Sequence, residues 1–323
     1  MRVVYGLPAG GGWHPITHMV RLLAELLEAE LVTVPINKPA NALRRLAAYG
    51  PRRRGRDTCL VVAAEPRHLE TLLEPHYWLR GYGQVAGWVI DSFWVDRIPP
   101  AARRHFDRLF VADKELAELW TNATGVPTDW LPWGSDVLRL GSDAGDRPVD
   151  LQRLGRQPAG WEDDEATRRA CEAAGLRYEG RPPMHDDPTA NQTALMRGLA
   201  QAKLVLAFSN KVSPASYTHP TREYLTGRWT DSLASGAALA GIAPRCGSVE
   251  ELLWEGATLE LPTTDRDQGI ELIAAAVRHW DPQAARDNHR RALERLDWRW
   301  RFKDLADALD LRSGRLDAEL GAL

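Results

Sequence analysis

Cysteine is scarce in this chain. Its three residues, Cys59, Cys171 and Cys246, lie far apart and are odd in number, which excludes a disulfide framework and a cysteine-based metal set. Long apolar runs are missing as well, and none approaches the ~20 residues a membrane span needs. The first residues, MRVVYGLPAGGGWHP, pass straight from a strand pattern into glycines. They show neither the apolar core nor the small-residue cleavage site of a signal peptide, so a reduced, cytoplasmic protein without a transmembrane segment is expected. Excess charge of one sign is also absent. A formal net charge of −3 provides no global field that would draw the chain to nucleic acid or membrane. The basic run PRRRGR (51–56) reads as a surface loop. No internal repeat and no low-complexity tract is visible.

What remains is a globular composition. Apolar residues make up 44% and charged residues 26% of the 323 positions, enough for two domains of ordinary size. Thirteen tryptophans fill cores or rims and can offer flat faces to a ring-shaped ligand. Short continuous apolar runs at 2–7, 31–36, 58–64, 84–91, 107–112 and 127–133 read as strands. Helical patterns intervene at 16–30, 41–50, 66–73 and 113–122. Continuous runs, rather than apolar/polar alternation, imply a parallel sheet covered on both faces. The stretch 134–148, GSDVLRLGSDAGDRP, lacks periodicity and marks the domain junction. Alternation then restarts, with strands at 149–155, 176–180, 203–209, 237–243 and 257–262, and the chain is helical onward to about 310. Two separate α/β sheets with a cleft between them are expected.

In open α/β sheets ligands bind outside the carboxyl ends of the strands, and several polar residues fall there. AGGGWH (9–14) links the first strand to the first helix, where Gly11 and Gly12 let the backbone approach a ligand. The glycine spacing is not a dinucleotide fingerprint. His14, directly after it, reads either as a packed or capping histidine or as a group that handles protons or sugar. Asp91 ends the strand GWVID and either caps the following turn or serves as a base. Arg156 and Lys211 follow later strands and suit a diphosphate, since an arginine forks two oxygens and a lysine adds a point charge. In TREYLTGRWTDSLASGAALAG (221–241), Arg228 and Asp231 share a helix face. Asp231 is placed to accept from the two hydroxyls of a ribose, Glu223 precedes the helix, and Gly236 ends it. An ordinary capped helix with an ion pair is the competing reading.

These residues resemble a known family. Glu223-YLTGRWT-Asp231-SLAS-Gly236 is similar to the Glu-x7-Glu signature of retaining-type GT-B glycosyltransferases, with Asp in place of the second Glu. TGRWTDSLASGAAL looks more like the corresponding segment of the CgeB-like glycosyltransferases. ALMRGLAQAKLVLAFS, CGSVEELLWEG, LFVADKELAELWTNATGVPTDWLPWGSD and DWRWRFKDL resemble the flanking segments, so the likeness covers most of 107–308. It departs in two places: no lysine follows Arg156 a few residues on, and REYLTG replaces an EGFG-like loop.

The resemblance implies an α/β GT-B fold: two Rossmann-like domains facing a central cleft, with a C-terminal helix crossing back. The expected domains are 1–136 for the acceptor, 137–300 for the nucleotide sugar, and 301–323 as the helical return. It implies a nucleoside-diphosphate sugar as donor substrate, a small-molecule or saccharide acceptor, and no separate cofactor or metal. Arg156, Arg228 and Lys211 fall to the diphosphate, Asp231 to the ribose and Glu223 to the transferred sugar. Gly11, Gly12, His14 and Asp91 fall to the acceptor side, with His14 or Asp91 as the base if the reaction inverts. Two other expectations stand beside this one: a sugar-nucleotide epimerase of the same fold, and a non-catalytic GT-B-like binding or partner protein.

Overall fold

The computed structural model describes residues 1–8, 10–36, 53–73, 81–100 and 102–323. The helix expected at 41–50 and part of the basic run at 51–56 lie outside the described residues. Two compact units are present: Met1–Pro132 together with Arg301–Ala322, and Trp133–Trp300.

The first unit is built on β1 (Arg2–Leu7), β2 (Glu30–Pro35), β3 (Thr58–Ala63), β4 (Gln84–Val89), β5 (Arg108–Val111) and β6 (Thr128–Trp130). Their order is β2-β1-β3-β4-β5-β6, and every pairing is parallel. Leu60, Val61 and Val62, like Val85, Trp88 and Val89, are buried. Consecutive residues point to opposite faces, so both faces are covered and the strands read as unbroken apolar runs. Helix α1 (His14–Leu26) turns Ile16, Met19, Val20 and Leu23 inward at helical spacing. Helix α2 (Ala117–Thr124) ends at Gly125, whose positive φ makes the left-handed cap. The segment Pro66–Leu73 is helical but wound as a 3-10 helix.

The second unit holds β7 (Val149–Arg153), β8 (Tyr178–Glu179), β9 (Ala202–Phe208), β10 (Ala238–Ile242) and β11 (Thr258–Glu260). They are all parallel in the order β11-β10-β9-β7-β8. Its helices are α3 (Asp164–Ala173), α4 (Pro188–Leu199), α5 (Gly227–Ala234), α6 (Gly247–Leu252), α7 (Arg266–Arg278) and α8 (Pro282–Arg295). Helix α9 (Trp298–Ala308) carries the chain out of this unit, and α10 (Gly314–Leu320) follows. Asp163, Asp187, Asp265 and Asp281 each accept first-turn amides of α3, α4, α7 and α8, which explains why these four helices start where they do. Before α10, Ser313 accepts from the Leu316 amide and donates to the Leu26 carbonyl at the end of α1. That contact seats the last helix on the first unit. Among the described residues no helix is long and apolar enough to cross a membrane.

Counted from its own first strand, each sheet begins in the order 2-1-3-4-5. In this order the chain moves outward in opposite directions from the first and third strands. The loops leaving β1 and β3, and those leaving β7 and β9, therefore diverge at the carboxyl edge and open a crevice there. The topology singles out the turn after β1, the turn after β7 and the long loop after β9.

The segment 141–148, read from sequence only as a junction, carries a structural anchor. Arg147, buried, donates to the carbonyls of Ala144, Ala202 and Ser235, and its burial pushes its pKa down to about 10. Gly236 sits against it with φ +81, and a Cβ there would lie 2.4 Å from Arg147 Nη2 and 2.5 Å from the Ser142 carbonyl. We therefore expect Gly236→Ala to destabilise the protein by about 3 kcal/mol through strain and overpacking together, read as a lowered urea midpoint. An unchanged midpoint would show that this junction is not rigid.

Candidate functional site

The turn after β7 is fixed from below. Arg153, 2% exposed, donates to the Glu162 carbonyl and to the Glu162 and Asp164 carboxylates. Its Nε also reaches the Gly155 carbonyl at 3.3 Å. Gly155 has φ +74, and a Cβ there would fall 2.6 Å from the Cδ of Arg228. Glycine thus meets two demands here: the left-handed backbone and the close passage of the Arg228 stem. Arg228, in the first turn of α5, donates Nη1 to the Phe208 carbonyl at the end of β9, 3.0 Å away. Arg156 donates Nε to the Ser213 carbonyl at 3.2 Å and Nη1 to the Tyr217 hydroxyl.

The crevice of the second sheet thus holds two guanidiniums, one from the turn after β7 and one from the first turn of α5. Burial, with the neighbouring Arg156 charge adding to it, pushes Arg228 down to about 10. Among the described residues neither arginine forms an ion pair with a carboxylate. Backbone carbonyls orient them without neutralising them. Thr226, the N-cap of α5, makes no side-chain cap, and its Oγ1 is buried without a partner. The first-turn amides of α5 therefore have no side-chain acceptor from their cap. Two unneutralised cations beside an uncapped helix start can hold an anion with at least two oxygens.

Glu223 lies in the same loop region, its Oε1 accepting from Ser209 Oγ at 2.6 Å. Ser209 directly follows β9, is 1% exposed, and is itself tied to β10 through its amide and the Ile242 carbonyl. Lys211 is exposed, two residues further on. Asp231 faces inward. It is 3% exposed and accepts from Ser135 Oγ at 2.7 Å and Gln192 Nε2 at 3.1 Å. Beside it, Thr230 donates to the Gly134 carbonyl at 2.7 Å. Asp231 and Thr230 together pin α5 to the segment that opens this unit. Ser209 and Tyr217 were not singled out by sequence. For Ser209 a signal existed, its place just beyond the last buried residue of β9. For Tyr217 there was none, because 209–226 has no periodicity.

In the first unit, Gly10 has φ +96 and starts the short 3-10 turn Gly11–Trp13, after which His14 opens α1. A Cβ at Gly12 would meet nothing within 4 Å, so space lies open there. Tyr5 of β1 is within hydrogen-bond distance of Thr17, which donates to the Trp13 carbonyl. That pair holds the turn against the sheet. His14 is half-buried, its Nδ1 without a partner.

Three acids follow three adjacent strands of the same sheet: Glu65 after β3, Asp91 after β4 and Asp113 after β5. Glu65 is paired with Arg97 at 2.9 Å and with Arg67. His68 Nδ1 accepts the Glu65 amide, and its Nε2 lies 3.3 Å from the Glu65 carboxylate. Burial pushes His68 down to about 4, so the imidazole is neutral near pH 7 and its approach to Glu65 is not an ion pair. Asp91 is partly buried, and that burial, with Asp113 and Glu65 adding to it, pushes its carboxyl up to about 8. A carboxylate at the edge of protonation near neutral pH is suited to moving a proton.

Asp265, the N-cap of α7, and Asp267 in its first turn form an Asp-x-Asp spacing. Asp265 is spent on the Gln268 amide, and Asp267 pairs with Arg266. Among the described residues no three His, Cys, Asp or Glu side chains gather as a metal-holding group.

No protein-family model matches the chain, and no curated protein matches it. Solved structures do. The chain is similar to Anabaena Alr3699/HepE in complex with UDP, at 13% identity over 96% of this chain and 100% of that one, with a TM-score of 0.54. The same protein in complex with UDP-glucose gives 13% identity, 96% and 99% coverage, and a TM-score of 0.56. Sucrose-phosphate synthase (tll1590) from Thermosynechococcus elongatus gives 13%, 96% and 98%, and 0.52. At this identity the likeness speaks to the fold alone: the chain has the α/β architecture of GT-B glycosyltransferases.

Two outcomes follow from the polar geometry. The native state holds a proton on Asp91 up to about pH 8, whereas the unfolded chain loses it near 4. Stability is therefore lost as pH rises between these values. Asp91→Asn should raise the melting temperature at pH 8 and flatten its slope between pH 5 and 8; an unaltered slope would contradict the raised value. Asp231→Ala strips two buried donors of their acceptor and should cost about 1–3 kcal/mol, read as a lower melting temperature without ligand.

Proposed function

We propose that the chain is a nucleotide-sugar-dependent glycosyltransferase. The observation that carries this is the pair Arg156 and Arg228, drawn together at the switch point of the second sheet with no carboxylate to neutralise them. A nucleoside diphosphate is the ligand whose charge suits them. HepE, of the same fold, is seen with UDP and with UDP-glucose, which supports a uridine nucleotide as the first candidate.

In this proposal Arg156, Arg228 and the amides at the start of α5 stabilise the charge that builds on the leaving diphosphate, with no metal required. Lys211 is the third cation, reaching in from its exposed loop position. Glu223, steadied by Ser209, faces the transferred sugar. Asp231 serves the ribose hydroxyls as well as anchoring α5. Gly11, Gly12 and His14 border the acceptor, a small molecule or saccharide. Asp91 takes the acceptor proton if the anomeric centre inverts, its raised pKa matching that task. The CgeB-like Glu-x7-Glu relationship belongs to the same proposal, on the strength of Glu223, Asp231 and Gly236. So does a cytoplasmic location, supported by three free cysteines.

Thermal denaturation with UDP, GDP and dTDP tests this. One of them should raise the melting temperature by a few degrees through mass action, and Arg156→Ala and Arg228→Ala should abolish the shift. No shift with any nucleotide, or an unaltered shift in both variants, would overturn the reading. Incubation with the donor sugar alone separates transferase from epimerase, since an epimerase converts the donor without an acceptor. With acceptor present, kcat/KM should climb with pH and level off above about 8 as Asp91 loses its proton. A rate independent of pH from 6 to 9 would remove Asp91 from the chemistry.

A further inference from the structure

Tyr217 is the most exposed large aromatic residue of the described chain, 64% exposed, yet it is not loosely placed. The guanidinium carbon of Arg156 lies 4.7 Å from its ring centroid, and Arg156 Nη1 donates to its hydroxyl. The loop that carries it is tied down at both ends. Ser209 holds Glu223, and Asn210 Nδ2 donates to the Arg222 carbonyl at 2.7 Å. Within the loop, Thr218 is closed onto Ala215 through its side chain in both directions, and His219 Nδ1 accepts the amides of Thr221 and Arg222. Tyr217 sits at the tip of this braced loop, with one ring face against a cation.

We propose that Tyr217 is a direct donor to the anionic group bound between Arg156 and Arg228. A tyrosine hydroxyl carries one proton and accepts as well. Here the hydroxyl oxygen accepts from Arg156 Nη1, so its own proton is left to point away from the guanidinium. An anion drawn to Arg156 and Arg228 meets that O–H as a third donor, from a different loop than either arginine. The exposed ring brings the hydroxyl to the anion while leaning on the cation beneath it. The inference rests on the diphosphate reading above and adds a recognition residue to it.

Calorimetric titration of wild type and Tyr217→Phe with UDP and with inorganic pyrophosphate tests it. The phenylalanine keeps the ring on Arg156 and removes only the hydroxyl, and at 64% exposure it should melt with the wild type. The dissociation constants of both ligands should rise by the same factor, about tenfold, as expected for a hydrogen bond to a charged group. Equal affinity in wild type and variant would overturn the role, and so would tighter binding, which would make Tyr217 a shield over Arg156. A loss with UDP but not with pyrophosphate would place Tyr217 at the nucleoside and also overturn it. Failure of the wild type to bind either ligand would remove the underlying diphosphate reading as well, and is distinguishable from all of these.

Discussion

Two like charges held close together with nothing of opposite sign between them are an unfavourable arrangement, and the second unit is organised around sustaining one. Arg228 is desolvated and repelled by Arg156. Carbonyls of Phe208 and Ser213 orient the two side chains, but a carbonyl cannot cancel a full charge. The surroundings hold the pair in place. Gly155 lets the Arg228 stem lie flat against the β7 turn, Arg153 braces that turn, and Thr230 and Asp231 pin the helix that carries Arg228. Arg147 and Gly236 lock the helix at its other end. Such an arrangement is sustained by the rest of the fold and relieved by an incoming anion.

The two sheets have the same strand order and opposite chemistry at their carboxyl edges. The second places arginines there. The first places Glu65, Asp91 and Asp113 at the ends of three neighbouring strands, with Arg67 and Arg97 paired to Glu65. Burial, with repulsion from Asp113 and Glu65 adding to it, keeps a proton on Asp91 at neutral pH. One topology thus carries a cationic edge in one unit and an acidic edge in the other, because strand order decides where loops diverge while the loop residues decide the chemistry placed there.

At Asp231 the tertiary structure adds a duty that motif spacing does not show. Eight positions from Glu223, it looks like the second acid of a paired signature. In the folded unit its carboxylate is turned toward Ser135 and Gln192. Its spacing from Arg228 correctly puts both on one short helix, but the helix is almost wholly buried, so sharing a face does not mean sharing solvent. Tyr217 is the converse case. No periodicity marks it, and only the closure of a loop between β9 and α5 brings it onto Arg156.

By itself the sequence determined the local architecture. The eleven strands of the described residues fall within a few residues of the apolar runs that announce them, and for central strands such as β3, β4 and β9 the reason is that a strand buried on both faces must be continuously apolar. The glycine turn after β1, the arginine after β7 and the end of α5 at Gly236 were equally legible, since glycine and strand-end positions carry their reasons locally. Tertiary structure alone decided the rest: that β7 and β9 lie side by side so that Arg156 and Arg228 meet, that Arg147 reaches from an aperiodic segment to the distant carbonyls of Ala202 and Ser235, and that Asp91 keeps its proton. Each depends on neighbours brought together from distant parts of the chain, and burial and charge proximity have no signature in linear spacing.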